Sequence, residues 1–129
     1  MSIVTMHAPI RKTAFFISLI AIGVVSLLPR EVLPETGISD KLGHFAAYGA
    51  LALLAWLAYA EETTRRRMMI ALVLYGALLE GLQSFIPGRF FSIGDMIANG
   101  GGVAVVYAAL MVIGRRRSVG LSGPGSRTD

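Results

Sequence analysis

The sequence contains no cysteine. Disulfides, thiolate metal sites and a cysteine nucleophile are thereby excluded, and redox compartment leaves no mark on the chain. Charge is scarce as well: Asp, Glu, Lys and Arg make up 16% of 129 residues, against 54% apolar residues and a mean hydropathy of +0.65. A chain this short encloses too little interior to hide so much apolar surface from water. The composition argues against a water-soluble domain and makes lipid the expected solvent.

What the chain does have is four apolar windows, at 10–28, 42–60, 68–86 and 93–113. Each is roughly 19 to 21 residues, or about 30 Å of helix, the thickness of a hydrocarbon core. The expected fold is an all-α membrane protein, a four-transmembrane-helix antiparallel bundle. Its membrane domain covers 13–114, between an amino-terminal tail at 1–12 and a disordered basic tail at 115–129. Arg11-Lys12 precedes the apolar run 14–28 as in a signal peptide, but Pro29-Arg30-Glu31 comes next instead of a small-x-small cleavage pattern, so the window reads as a retained anchor.

The basic residues set the orientation. Arg11, Lys12, Arg65-Arg66-Arg67, Arg115-Arg116-Arg117 and Arg127 lie in the two tails and the second loop, whereas Arg30, Lys41 and Arg89 lie in the other two loops. By the positive-inside rule both termini are cytoplasmic. The sequence pI of about 10.0 then reflects topology rather than a nucleic-acid partner, and none is expected. The localisation expected is a multi-pass protein of the cytoplasmic membrane.

Polar residues interrupt the apolar windows at a few positions, concentrated in 80–99. Pro87-Gly88 is a stop and turn signal, because proline breaks the helical ladder and glycine accepts left-handed angles. Glu80 and Gln83 share a helix face before the turn, and Asp95 and Asn99 share one after it. Carboxylates and carboxamides inside apolar helices are costly unless partnered, which makes them candidates for function. Glu80 lies roughly 9 Å below the end of its window, too deep for a short carboxylate to reach water, so it should face the bundle interior. Asp95 has a structural alternative, since Ser92-x-x-Asp95 has the form of a capping box. In the second window Asp40, His44 and Tyr48 recur every four residues and share a face, with Ser39 as the expected N-cap. Gly94, Ala98 and Gly102 form a small-residue seam suited to close helix contact, internally or in a homodimer.

Taken in order, Asp40-Lys41-x-x-His44-Phe45-x-x-Tyr48, Glu80-x-x-Gln83, Pro87-Gly88-Arg89 and Ser92-x-x-Asp95-x-x-x-Asn99-x-x-Gly102 resemble the VanZ family over about 40–113. These are small integral membrane proteins, named for a member of a glycopeptide-resistance cluster associated with teicoplanin resistance. The resemblance implies a cell-envelope context without specifying a reaction. It carries Asp40, Lys41, His44, Glu80, Gln83, Arg89, Asp95 and Asn99 over as positions matching the family's motif.

Three functional readings follow. In the first, an outward-facing polar pocket binds an anionic membrane lipid or lipid-linked envelope precursor. Arg89 and Lys41 would hold the phosphate, Asp40, Tyr48, Gln83 and Asn99 would contribute polar contacts, and Phe90 and Phe91 would meet the acyl chain. Such a protein could affect glycopeptide susceptibility by shielding a target lipid. In the second, His44, Glu80 and Asp95 act as acid and base groups of a hydrolase or transferase on such a lipid. In the third, the polar groups only hold helices together. No cofactor is expected; a His44–Glu80–Asp95 metal site is conceivable, but no helix carries a metal-ligand spacing of its own.

Overall fold

The computed structural model describes residues 7–121, and every regular element in that range is helical. The expectations for 1–6 and 122–129 lie outside the described residues. The elements are α1 (Ala8–Ser26), α2 (Asp40–Ala58), α3 (Glu62–Gln83) and α4 (Ile93–Leu121), with a 3-10 turn at Arg30–Val32 between α1 and α2.

Local chemistry sets the ends. Pro9 in the first turn of α1 pre-sets helical φ where its missing N–H is not needed. Ser39 caps α2 as expected, its hydroxyl accepting from Leu42 N–H at 3.2 Å. At the other end of α2 the Arg65 guanidinium donates to the carbonyls of Trp56 and Tyr59, at 3.1 to 3.2 Å and 2.7 Å, while stacking 3.8 Å from the Trp56 ring. Terminal carbonyls are thereby satisfied by a cation suited to a helix C-terminus. Between α3 and α4, Arg89 N–H donates to the Ile86 carbonyl at 3.1 Å and Gly88 has φ 77°, so Ile86-Pro87-Gly88-Arg89 is a type II turn.

α4 continues through Arg115-Arg116-Arg117 to Leu121. The helix therefore reaches into the basic tail that composition assigned to a disordered segment. Arginine is a good helix former, which favours this continuation.

α2 is the central helix. It packs most extensively on α4 and next on α1, while α3 lies mainly against α4. Tyr48, Leu51, Ala52 and Ala55 of α2 are buried with Phe15, Leu72 and Val103 from the other three helices. The closest approach is at Gly102, where an added Cβ would collide with the Phe45 carbonyl and sit 3.1 Å from Gly49 N. The small-residue seam thus meets α2 of its own chain at this point.

Large apolar side chains cover the outside, among them Ile17, Ile20, Ile70, Leu74, Leu78 and Ile97. Such an exterior suits lipid rather than water. α1, α2 and α4 are each long and apolar enough to cross a membrane. α3 does not meet that description, because its first two turns carry Glu62 and Arg65-Arg66-Arg67 and its last two carry Glu80 and Gln83.

Candidate functional site

Contacts define two ends of the bundle. Lys12, Trp56, Tyr59, Glu62, Arg65 and Tyr107 gather at one: Lys12 lies 5.2 Å from the Tyr59 ring, Trp56 and Tyr107 meet edge to face, and the Tyr107 hydroxyl donates to Glu62. At the other, α1 and α3 finish while α2 and α4 begin, and almost every polar residue singled out from the sequence is found there.

His44, Glu80 and Asp95, from three different helices, place donor atoms within 4.8 Å of one another. His44 Nε2 lies 3.7 Å from Asp95 Oδ2, and on the other side of the ring Nδ1 lies 2.9 Å from Asn99 Oδ1. Because an amide oxygen only accepts, His44 Nδ1 carries the proton in this contact. Asn99 is 2% exposed and is accommodated by Gly76 of α3, where an added Cβ would lie 3.0 Å from both the Asn99 amide and the Tyr48 ring. Glycine at 76 is therefore part of how the bundle receives Asn99.

Glu80 faces the interior as expected, at 1% exposure. Its Oε2 accepts from Ser92 N–H at 3.1 Å, while the Ser92 hydroxyl accepts from Asp95 N–H at 3.2 Å. The capping box is thus only half formed by its own helix. A carboxylate from α3 takes the reciprocal position that Asp95 would fill, which leaves Asp95 to face His44 and Lys41. Lys41 Nζ is 3.9 Å from Asp95 Oδ1. Glu80 Oε1 and Asp95 Oδ1 are buried without hydrogen-bond partners.

Gln83 and Arg89 converge elsewhere. Both donate to the carbonyl of Ser26, the last residue of α1, at 2.9 and 3.0 Å. They satisfy an orphan helix-end carbonyl and tie α1 to the α3–α4 turn. Asp40 is exposed and ion-paired with Arg30 at 2.6 Å. Two partners were not legible in the sequence, the Ser26 carbonyl and Arg30. A backbone acceptor has no residue signature, whereas Arg30 could have been noticed as a cation in the same loop as Asp40.

A cavity of about 860 Å³ lies among these groups, walled by α1, the 27–39 connection, α2 and the α3–α4 turn. Asp40, His44, Tyr48, Gln83, Arg89 and Asp95 line it, so the expected shared face of Asp40, His44 and Tyr48 is realised. Lys41, Glu80 and Asn99 are not lining residues, and the last two support those that are. Phe85 and Phe90, 83% and 85% exposed, project beside this end, with Phe91 less exposed.

The VanZ/LLP1 family model matches residues 2–114, nearly the whole described bundle. The chain belongs to the VanZ/LLP1 family. No curated protein and no solved structure matches it. The resemblance read from the polar motifs over 40–113 thus extends to α1, whose Ser26 carbonyl receives two of the motif side chains. Three helices long and apolar enough to cross a membrane, with an apolar exterior, accord with a VanZ-type membrane protein.

Proposed function

We propose that this VanZ-family protein binds the phosphate-bearing head group of a membrane lipid or lipid-linked envelope precursor in the 860 Å³ cavity, from the extracytoplasmic face of the cytoplasmic membrane. The observation carrying this reading is the convergence of the motif residues of α2, α3 and α4, with the end of α1, on one cavity beside exposed aromatic side chains. In this reading α3 also crosses the membrane, shielded by α2 and α4, and both termini are cytoplasmic, as the basic residues favour. Arg89 is the principal phosphate ligand: one nitrogen is engaged by Ser26, and its fork has further donors to offer. Lys41 is exposed enough to leave Asp95 and join it. Phe85 and Phe90 would rest in the interface beside the acyl chains. Sequestering such a lipid is one route by which the protein would alter glycopeptide susceptibility.

Native mass spectrometry of the detergent-purified protein tests the reading. The parent should retain a phosphate-bearing lipid that Arg89→Ala and Gln83→Ala release while melting within a few degrees of the parent. Equal retention by all three, or early unfolding of both variants, would favour polar groups that merely join helices, at about 0.6 kcal/mol per interhelical hydrogen bond.

The convergence of His44, Glu80 and Asp95 favours one second reading, a hydrolase or transferase acting on the same lipid. Imidazole and carboxylate within one small volume can move a proton to or from water. Appearance of a lipid product, abolished in His44→Gln, would distinguish turnover from retention.

A further inference from the structure

Two features of the His44–Glu80–Asp95 cluster are unexplained by helix packing. Glu80 is buried to 1% exposure with Oε1 lacking a hydrogen-bond partner, and Asp95 Oδ1, with Lys41 Nζ no nearer than 3.9 Å, also accepts no hydrogen bond. In addition, the Asn99 contact fixes the proton on His44 Nδ1, so in a neutral ring the Nε2 lone pair faces the Asp95 carboxylate across 3.7 Å. Lone pair and anion repel, and two carboxylates converge on the same spot. A positive charge at the centre resolves all of these at once.

We propose that His44 Nε2 and one carboxylate oxygen each from Glu80 and Asp95 bind a single divalent cation of the zinc, cobalt and manganese class. One nitrogen and two carboxylate oxygens suit these borderline ions better than calcium or magnesium, which prefer oxygen throughout. Tetrahedral ligands about 2.1 Å from a metal lie about 3.4 Å apart. The 3.7 Å His44–Asp95 separation is already close to that, and the three ligand atoms lie within 4.8 Å of one another, so binding needs them to draw together by about an ångström. Asn99 supplies what a ligating histidine ordinarily has, an acceptor on its other ring nitrogen that sets tautomer and orientation.

The surroundings favour a cation. Glu31, Glu35, Asp40 and Asp95 line the cavity against Arg30 and Arg89, so its wall carries more negative than positive groups. Lys41, whose side chain is 67% exposed and 3.9 Å from Asp95, can release that carboxylate to a metal. Three protein ligands leave a coordination position open, and His44 and Asp95 both line the cavity. A phosphate oxygen entering there would complete the shell. The cation site rests on the cluster itself, and only this last link rests on the lipid reading.

Chelator-stripped protein in detergent, titrated with Co²⁺ and followed by visible absorption and metal content, tests the proposal. The chain should take up one Co²⁺, displaceable by Zn²⁺ and not by Ca²⁺. Affinity should fall at least tenfold in His44→Gln and in Asp95→Asn, and remain unchanged in His7→Gln. Since His7 and His44 are the two histidines, pulsed EPR of the His7→Gln protein loaded with Cu²⁺ should show one imidazole nitrogen, which tests His44 without altering it. Absence of stoichiometric uptake, uptake indifferent to His44→Gln, or no imidazole signal would overturn the site. Metal uptake without lipid retention removes the lipid reading alone, and lipid retention without metal uptake removes this one alone.

Discussion

The Glu80 carboxylate does two jobs. Oε2 caps the first turn of α4 through Ser92 N–H, and the carboxylate also places an oxygen within 4.8 Å of ligand atoms of His44 and Asp95. Glutamine can keep the first role through its amide oxygen, whereas leucine keeps neither. Glu80→Leu should therefore destabilise the protein by about 1 kcal/mol more than Glu80→Gln, the usual worth of an N-cap. Reversible denaturant titration of both variants in mixed micelles measures the difference; equal stability would show that the cap contributes nothing. The interior position of Glu80 was readable from its depth in an apolar window. Its cap on α4 was not, because the partner is a backbone N–H twelve residues away across a turn. Asp95 was read as either a cap or a site residue for the same reason.

At the scale of elements, the α2–α4 crossing depends on glycine at one position and not at its neighbour. A Cβ at Gly102 meets the Phe45 carbonyl, while one at Gly100 meets nothing within 4 Å. Gly102→Ala should cost about 1 to 3 kcal/mol by overpacking, and Gly100→Ala should be neutral or slightly stabilising through its better helix propensity. Melting of the two variants side by side checks this, and a harmless Gly102→Ala would mean that the crossing is loose. The seam every four residues was visible in the sequence, but its partner was not, since a small-residue stripe has the same pattern whether a neighbouring helix or a second copy covers it. The Arg65 cap on α2 was hidden similarly among three arginines. Arg65→Ala should lose the charge-assisted hydrogen bonds to two carbonyls and destabilise the end of α2 by about 1.5 to 3 kcal/mol, whereas Arg67→Ala should not. Faster hydrogen exchange at Trp56 to Tyr59 in the first variant alone would show it.

For the whole molecule, four helices and their order followed directly from the four apolar windows, with ends shifted by a few residues where arginines and turn residues extend or stop a helix. The apolar character of α3 is the exception: charges at both of its ends lower its hydropathy, and neighbouring helices, not its own composition, shelter Glu80 and Gln83. The grouping of polar residues at one end was also legible, because residues near the ends of successive antiparallel windows must meet. A polar pocket was expected from the sequence, but the wall of the cavity was not legible in it, since much of that wall is the 27–39 connection, whose path no periodicity sets.

A chain without cysteine allows the central claim, a cavity opening to the outside at the polar end, to be tested with single introduced thiols. Thr36→Cys lies on the cavity wall and Thr64→Cys in the first turn of α3 at the opposite end. An impermeant maleimide applied to intact cells should label Thr36→Cys, more slowly when phosphate-bearing lipid is supplied, and should reach Thr64→Cys only after the membrane is broken. Labelling of Thr64→Cys in intact cells with Thr36→Cys protected until lysis would place the cavity on the cytoplasmic side and contradict the account.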